Sequence, residues 1–242
     1  MFSAVARIFR TPDLRRKLGF TLGIIAIYRL GAHVPAPFVD YPNVQACIAG
    51  QASGASGLLS LVNLFSGGAL LQLSIFALGV MPYITATIIS QLLRVVIPHF
   101  EALHQEGQAG QSKLTQYTRY LTIALALLQS TTLITVARSG QLFGVTGVPE
   151  CEQVLTSSAW WAQVLMIITM TAGTGLIMWF AELVTERGIG NGMSILIFTS
   201  IAATFPGAMA AIWQSRGFEV FLLVLAVGIV VMALVVFVEQ SQ

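Results

Sequence analysis

Three glycines in the last quarter of the sequence form the pattern that could most readily bind a phosphate. Gly188, Gly190 and Gly192 lie in "TERGIGNGMS". A dinucleotide turn needs G-x-G-x-x-G after a strand, and a P-loop needs Gly-Lys-Ser/Thr after its glycines. This spacing fits neither motif. We therefore interpret the glycines as a tight turn between two helices, in which Asn191 adopts a positive φ or caps the next helix.

Histidine and cysteine, the usual metal ligands and reactive side chains, are also sparse. His99 and His104 are five residues apart and cannot share one helix face as ligands at i and i+4 would. Cys47 and Cys151 fall in predicted exterior loops, where a disulfide is permitted, but the sequence does not bring them together. We expect two free thiols, no metal, no cofactor and no catalytic residue.

These residues sit in a chain with the composition of a membrane protein. Of its 242 residues, 56% are hydrophobic and 9% are charged, which leaves too few polar side chains to cover the core of a soluble protein. The apolar residues fall in blocks of about 20, the length that a membrane helix needs. We predict an all-α membrane protein, a polytopic helical bundle, with spans at 19–34, 73–97, 118–137, 159–180, 191–212 and 218–238.

The distribution of Lys and Arg predicts the orientation, because cytoplasmic loops carry more of both. The N-terminus is predicted to be cytoplasmic, with residues 1–17 forming an amphipathic segment on the inner membrane surface. The net charge of +2 is too weak and too dispersed to indicate nucleic acid. The polar inner loop from Glu101 to Lys113 is either a solvated hairpin or a docking surface for a cytoplasmic partner.

A short apolar segment at 58–65 cannot cross the membrane, because a helix of that length spans only about 12 Å. It lies between "GQASGASG" and Gly67-Gly68, so it is hinged at both ends. A broken element at membrane depth is tolerated only inside protein or against a water-filled cavity. The segment is therefore a candidate plug or gate, and an interfacial helix lying flat on the outer leaflet remains the alternative.

The span that follows this segment could form a constriction. Val80 and Ile84 stand at i and i+4, and Pro82 between them is predicted to kink the helix. Branched apolar side chains facing water would make a hydrophobic constriction, although helix packing or lipid contact explains such a stripe equally simply. The same helix carries polar side chains, which normally face protein or water rather than lipid: Thr85, Thr87, Ser90 and Gln91.

Several long motifs resemble the SecY family, the pore subunits of the bacterial protein-conducting channel. They are "NLFSGGALLQLSIFALGVMPYITATIISQLL", "EGQAGQSKLTQYTRY", "VTERGIGNG" and "VVFVEQSQ". The resemblance extends from about Leu14 to the last residue. It implies two inverted halves of five helices each, of which this chain matches the first half, with its plug, at 18–212 and the sixth helix with the start of a cytoplasmic loop at 213–242.

The resemblance also implies roles for individual residues. Three positions match the pore ring: Val80, Ile84 and, less securely aligned, Ile197. The plug, 58–66, includes Leu58, Leu59, Leu61, Val62, Leu64 and Phe65, and its hinge comprises Ser66, Gly67 and Gly68. The lateral-gate side is implied to comprise Thr85, Thr87, Ser90, Gln91 and Arg119.

The function implied by the resemblance is the passage of unfolded polypeptides across and into the bacterial plasma membrane. The implied partners are SecE, SecG, the SecA motor, the ribosome, secretory and membrane polypeptides, and the lipid bilayer. Two alternatives come from other classes. A small-solute transporter or channel would need ionisable residues in mid-span, where these spans have almost none. The second alternative is a non-conducting fragment, because the motifs cover about six of the ten family helices.

Overall fold

The computed structural model describes residues 12–50, 63–138, 154–157 and 159–240. The elements are helices joined by turns: α1 (Pro12–Ala32), α2 (Tyr41–Gly50), α3 (Met81–Val96), α4 (Pro98–Gln105), α5 (Gln108–Arg138), α6 (Trp160–Arg187) and α7 (Gly192–Gln240). Within the described residues, four segments are long and apolar enough to cross a membrane: Gln108–Arg138, Trp160–Arg187, Gly192–Gln214 and Gly217–Gln240. They match the last four predicted spans, and the all-α, multi-pass architecture is confirmed.

Proline and glycine set several of the helix ends. Ile97 is extended, with φ −106° and ψ 112°, because a residue that precedes proline is disfavoured in the α conformation. Helix α3 therefore ends at Val96, and Pro98 begins α4 in a position that needs no N–H donor. Gly107, with φ 73°, turns the chain from α4 into α5.

The turn before α7 follows the sequence interpretation. Gly190 has φ 69°, and the Asn191 side chain accepts a hydrogen bond of 3.0 Å from the Met193 N–H. The Thr185 hydroxyl accepts a second bond, of 2.9 Å, from the Gly192 N–H. Both bonds satisfy N–H groups that have no partner within the helix, so Asn191 is a helix cap rather than a residue of positive φ.

The chain divides into two compact units, Met1–Ile201 and Ala202–Gln242. In the first unit, α5 packs against α3 and α6, and α1 packs against α6. Polar side chains join these helices: Thr118 donates to Ser90 over 3.1 Å. In the second unit, the non-helical residue Gly217, with φ 80°, interrupts α7 between the predicted spans 191–212 and 218–238.

The second predicted span, 73–97, is only partly helical. Helix α3 begins at Met81 and is about 24 Å long at 1.5 Å per residue, shorter than the hydrocarbon core. Residues 66–80, which we call the turn segment, are a succession of turns. Pro82 lies in the first turn of α3, where its missing N–H has no cost, so the predicted proline kink inside a helix is wrong.

The turn segment is apolar because it is buried within protein. Leu73, Ala77 and Val80 are fully buried, and the carbonyl of Ile75 lies directly against Gly173 of α6. The backbone also pairs with the chain after α1: the Ala36 N–H donates to the Leu73 carbonyl over 2.9 Å. Irregular backbone at membrane depth is tolerated in such surroundings, where its polar groups find partners inside the protein.

The chain after α1 and the residues before α6 are linked to one another. The Asp40 N–H donates to the Val154 carbonyl over 2.9 Å, and the Thr156 N–H donates to the Phe38 carbonyl over 3.0 Å. Cys47, on α2, is buried and disulfide-bonded. The expectation of a free thiol is therefore wrong for Cys47, because a disulfide depends on the three-dimensional fold, which the sequence spacing does not reveal; Cys151 lies outside the described residues.

Both predicted domain limits lie inside helices rather than between them. The limit at 17/18 lies inside α1, and residues 1–11 of the predicted amphipathic segment lie outside the described residues. The limit at 212/213 lies inside α7. The domain division stays a prediction.

Candidate functional site: a constriction, a corner and an inner cavity

The three predicted pore-ring residues meet at one apolar cluster, which we call the ring cluster. It consists of Ile24, Tyr28, Phe76, Val80, Ile177, Phe180, Ala181, Val184 and Leu196. Val80 is fully buried in it, whereas Ile84 and Ile197 are partly buried and pack against it. Residues from the turn segment, α3 and α7 thus converge on one small apolar region.

The residues predicted as a plug hinge form a hydrogen-bonded corner, residues 63–68. Asn63 organises it: the Asn63 carbonyl accepts from the Gly68 N–H over 3.0 Å and from the Ser66 hydroxyl over 3.0 Å. The Asn63 side-chain oxygen accepts from the Leu71 N–H over 3.2 Å. Gly67 and Gly68 have φ values of 67° and 89°, a conformation that favours glycine.

Sequence reasoning did not identify Asn63, although an asparagine just before Gly-Gly is a recognisable turn signal. Of the predicted plug residues, Leu64 and Phe65 lie within the corner and are partly buried. Leu58, Leu59, Leu61 and Val62 lie outside the described residues.

Two neighbouring residues of α1 reach the corner and α7. The Arg29 guanidinium donates from Nη1 to the Gly67 carbonyl over 3.0 Å. Tyr28 shares a buried hydrogen bond of 2.8 Å with Ser200, which lies on α7 within the first unit. These contacts join segments that are far apart in sequence.

The predicted lateral-gate residues do not share one face of α3. Ser90 is buried against Thr118 of α5, whereas Gln91 is exposed. Thr85 and Thr87 donate to the carbonyls of Met81 and Tyr83 respectively, a pattern that satisfies the hydroxyl within its own helix. Thr87 belongs to the face that also carries Ile84.

That face lines a cavity of about 400 Å³ between α3, α5, α6 and the start of α7, which we call the inner cavity. Its apolar walls include Ile84, Ile88 and Met193, and its polar groups include Thr87 and Thr115. The complete lining is Tyr83, Ile84, Thr87, Ile88, Thr115, Arg119, Ala181, Glu182, Thr185, Glu186, Asn191 and Met193.

An ion pair in this lining links α5 to α6. Arg119 donates from Nε and Nη2 to the two carboxylate oxygens of Glu182, each over 2.8 Å, and Arg119 Nη1 donates to Gln116 over 3.1 Å. This bidentate geometry is the strong form of an arginine–carboxylate contact. Sequence reasoning identified Arg119 and missed Glu182, whose only local signal was a carboxylate two residues beyond a predicted span.

The segment from Glu101 to Lys113 carries a weaker ion pair. Lys113 and Glu106 approach to 3.5 Å, with 60% and 51% of their side chains exposed, and such an exposed pair adds little stability. Among the residues that the structure describes, His, Cys, Asp and Glu form no group that could hold a metal ion.

Comparison with known proteins places these features in a family. A family model described as SecY matches residues 74–242. The protein translocase subunit SecY of Streptomyces coelicolor is 61% identical over the whole chain, which covers 56% of that relative. The namesakes from Micrococcus luteus and Mycobacterium bovis are 58% and 54% identical, and the chain covers 54% of each.

Solved structures agree at the level of the fold. Sec61 in a canine ribosome–channel complex from the endoplasmic reticulum has a TM-score of 0.52 at 15% identity, over 85% of this chain and 39% of that chain. A structure described as a protein-conducting channel has a TM-score of 0.51 at 16% identity, with the same coverage. The chain spans about half the length of the curated relatives it matches.

Proposed function

The chain belongs to the SecY family, and from this premise we propose that it forms the N-terminal part of a channel that passes unfolded polypeptides across and into the membrane. The convergence of Val80, Ile84 and Ile197 on the ring cluster carries the proposal. Ile84 also lines the inner cavity, and Gly79, next to Val80, packs against the corner at Ser66. The residues of the proposed constriction, the approach to it and the proposed hinge are therefore contiguous, which supports the proposal.

The proposed mechanism is mechanical. Branched apolar side chains can close around varied polypeptide segments while their hydrophobicity opposes the flow of water and ions. The segment that ends at the corner serves as the plug on the exterior side, and the α3 face with Arg119 belongs to the lateral gate. No covalent bond is broken, so we assign no catalytic residue, and energy comes from a cytoplasmic partner.

The proposed setting is the bacterial plasma membrane, with the N-terminus in the cytoplasm. The curated relatives are bacterial and are named as protein translocase subunits, and the excess of Lys and Arg in the inner loops supports the orientation. We propose SecE, SecG, the SecA motor and the ribosome as partners. The inner loop from Glu101 to Lys113 faces the last two of these.

Reconstitution tests this function directly. A full-length channel that carries this sequence as its N-terminal part is placed in lipid vesicles with its partner subunits, and the fraction of a secretory precursor protected from external protease is measured. We expect energy-dependent protection. The 242-residue chain alone is the matched sample, and we expect it to protect no precursor. A full-length channel that assembles but protects no precursor would count against the proposal and favour a non-conducting role.

A further inference from the structure

Helix α6 has a packed side and an exposed side. It packs against α1, α3 and α5, and its buried side chains include Met166, Met170 and Ile177. The exposed large side chains recur at helical spacing on the opposite side, within about 60° of one line along the helix at 100° per residue. We call this face the α6 stripe, and it consists of Trp161, Val164, Leu165, Ile168, Leu176 and Trp179.

The polar groups near the α6 stripe do not need water. Thr169, at the edge of the stripe, donates its hydroxyl to the Leu165 carbonyl over 2.7 Å, which satisfies it within the helix. No charged residue lies between Trp161 and Trp179. The stripe therefore has the character of a surface that faces hydrocarbon.

The two tryptophans close the α6 stripe at its ends. Trp161 and Trp179 lie on the same line of the helix because about five turns separate them, a rise of roughly 27 Å. This rise is close to the hydrocarbon thickness of a bilayer, about 30 Å. Their side chains are 50% and 53% exposed, and tryptophan concentrates at the boundary between hydrocarbon and headgroups.

Each tryptophan also contacts an aromatic ring of the protein. Trp161 and Phe38 meet edge to face, with ring centroids 5.0 Å apart, and Trp179 and Phe180 lie 5.7 Å apart. Phe38 has φ 64°, which is unusual for a bulky residue, and its carbonyl accepts from the Thr156 N–H over 3.0 Å. The ring of Trp161 is therefore positioned by the link between the chain after α1 and the residues before α6.

We propose that the α6 stripe is a lipid-facing wall of the assembled protein and that Trp161 and Trp179 set its depth in the bilayer, one at each headgroup boundary. The occupant is the acyl chains of both leaflets, because an apolar partner helix does not require a tryptophan at each end at the spacing of the hydrocarbon core. This inference goes beyond the proposed function and does not depend on it.

The proposed depth also locates the ion pair of the inner cavity. Glu182 follows Trp179 by about 4.5 Å along the helix axis, on the side away from the hydrocarbon. The Arg119–Glu182 pair then lies at the headgroup boundary, where a charge is far less costly than at the bilayer centre. The inner cavity, which both residues line, reaches the same level.

Spin labels on single cysteines test the depth of the α6 stripe. Val164→Cys, Ile168→Cys and Leu176→Cys are made in the full-length channel without other free cysteines, assembled with its partner subunits in phosphatidylcholine vesicles. Accessibility is measured to oxygen, which enters hydrocarbon, and to a water-soluble nickel chelate. Val164 and Leu176 lie about 9 Å on either side of the midpoint between the tryptophans, and Ile168 lies about 3 Å from it. We expect Ile168 to be deepest and the other two to be equally shallow.

The matched control is Ile167→Cys, because Ile167 is the neighbouring isoleucine and packs against the protein core. We expect its label to be several-fold less accessible to oxygen than the label at Ile168. Low accessibility to both reagents along the whole stripe would show that a protein surface covers it and would overturn the proposal. High accessibility to the nickel chelate at Ile168, or a deepest position at Val164 or Leu176, would also overturn it.

Replacing the tryptophans tests whether they set the depth. Leucine prefers hydrocarbon to the interface, so Trp161→Leu and Trp179→Leu each let one end of the stripe enter the membrane further. We expect the depth profile to shift in opposite directions in the two variants, by about 1.5 Å, the rise of one residue. Shifts in the same direction, or none in either variant, would overturn the proposal.

Discussion

The Arg119–Glu182 pair shows what individual side chains contribute at the inner cavity. Only 40% of the Arg119 side chain and 19% of the Glu182 side chain are exposed. Exposed ion pairs add little because water screens them, but a bidentate pair that is partly withdrawn from water retains more of its attraction. The pair therefore ties α5 to α6 along one wall of the cavity.

A double-mutant cycle measures the interaction energy of the Arg119–Glu182 pair. We expect Arg119→Met and Glu182→Gln to be coupled by about 1 kcal/mol in the free energy of unfolding, because each leaves the other group without its charged partner. The measurement is denaturant unfolding of the full-length channel in detergent. Lys113→Met and Glu106→Gln, applied to the exposed pair, form the control cycle, with an expected coupling near zero. A coupling no larger for Arg119–Glu182 than for the control would contradict this view.

Sequence could identify Arg119 but not its partner. The motif "QYTRY" marks Arg119, and its place at the start of a span makes it conspicuous. Glu182 is 63 residues away, and choosing it over Glu186 requires knowledge of how α5 and α6 pack. The hydrogen bond between Arg29 and Gly67 could not be predicted for the same reason, since a contact between a helix end and a distant turn leaves no local sequence pattern.

At the scale of elements, the turn segment is where hydropathy misled the prediction. Residues 73–80 are as apolar as a membrane helix, so a span from 73 to 97 followed from composition. The structure buries these residues inside protein as successive turns, with Leu73 in the left-handed region at φ 47°. A short apolar run does not reveal whether lipid or protein surrounds it, whereas the four long spans with clear polar limits were predicted well.

The close approach of the turn segment to α6 gives a test of that packing. A β-carbon at Gly173 would collide with the backbone carbonyl of Ile75, whereas one at Gly175 would lie 3.6 Å from the Ile123 side chain, an ordinary contact. We expect Gly173→Ala to destabilise the channel by about 1–3 kcal/mol. Gly175→Ala should be neutral or stabilising, because alanine favours a helix by about 1 kcal/mol over glycine. The measurement is thermal unfolding of the two variants. Equal midpoint temperatures would show that α6 does not pack on Ile75.

At the scale of the whole molecule, membership of the SecY family and the arrangement of the first unit support a polypeptide-conducting channel. The family model covers residues 74–242, and within the first unit the ring cluster, the corner and the inner cavity are contiguous. The second unit exposes apolar residues throughout Gly217–Gln240, none of which is buried. Lipid or other protein surfaces must cover such a helix.

Site-directed crosslinking from Ile84 tests the central claim most directly. A cysteine is introduced at Ile84 in the full-length channel on a background without native cysteines, and a secretory chain with its own cysteine is arrested in transit. Leu128, 63% exposed on α5, is the control position. We predict that Ile84→Cys crosslinks to the arrested chain and Leu128→Cys does not. Crosslinking to lipid probes from both positions, with none to the arrested chain, would contradict the account.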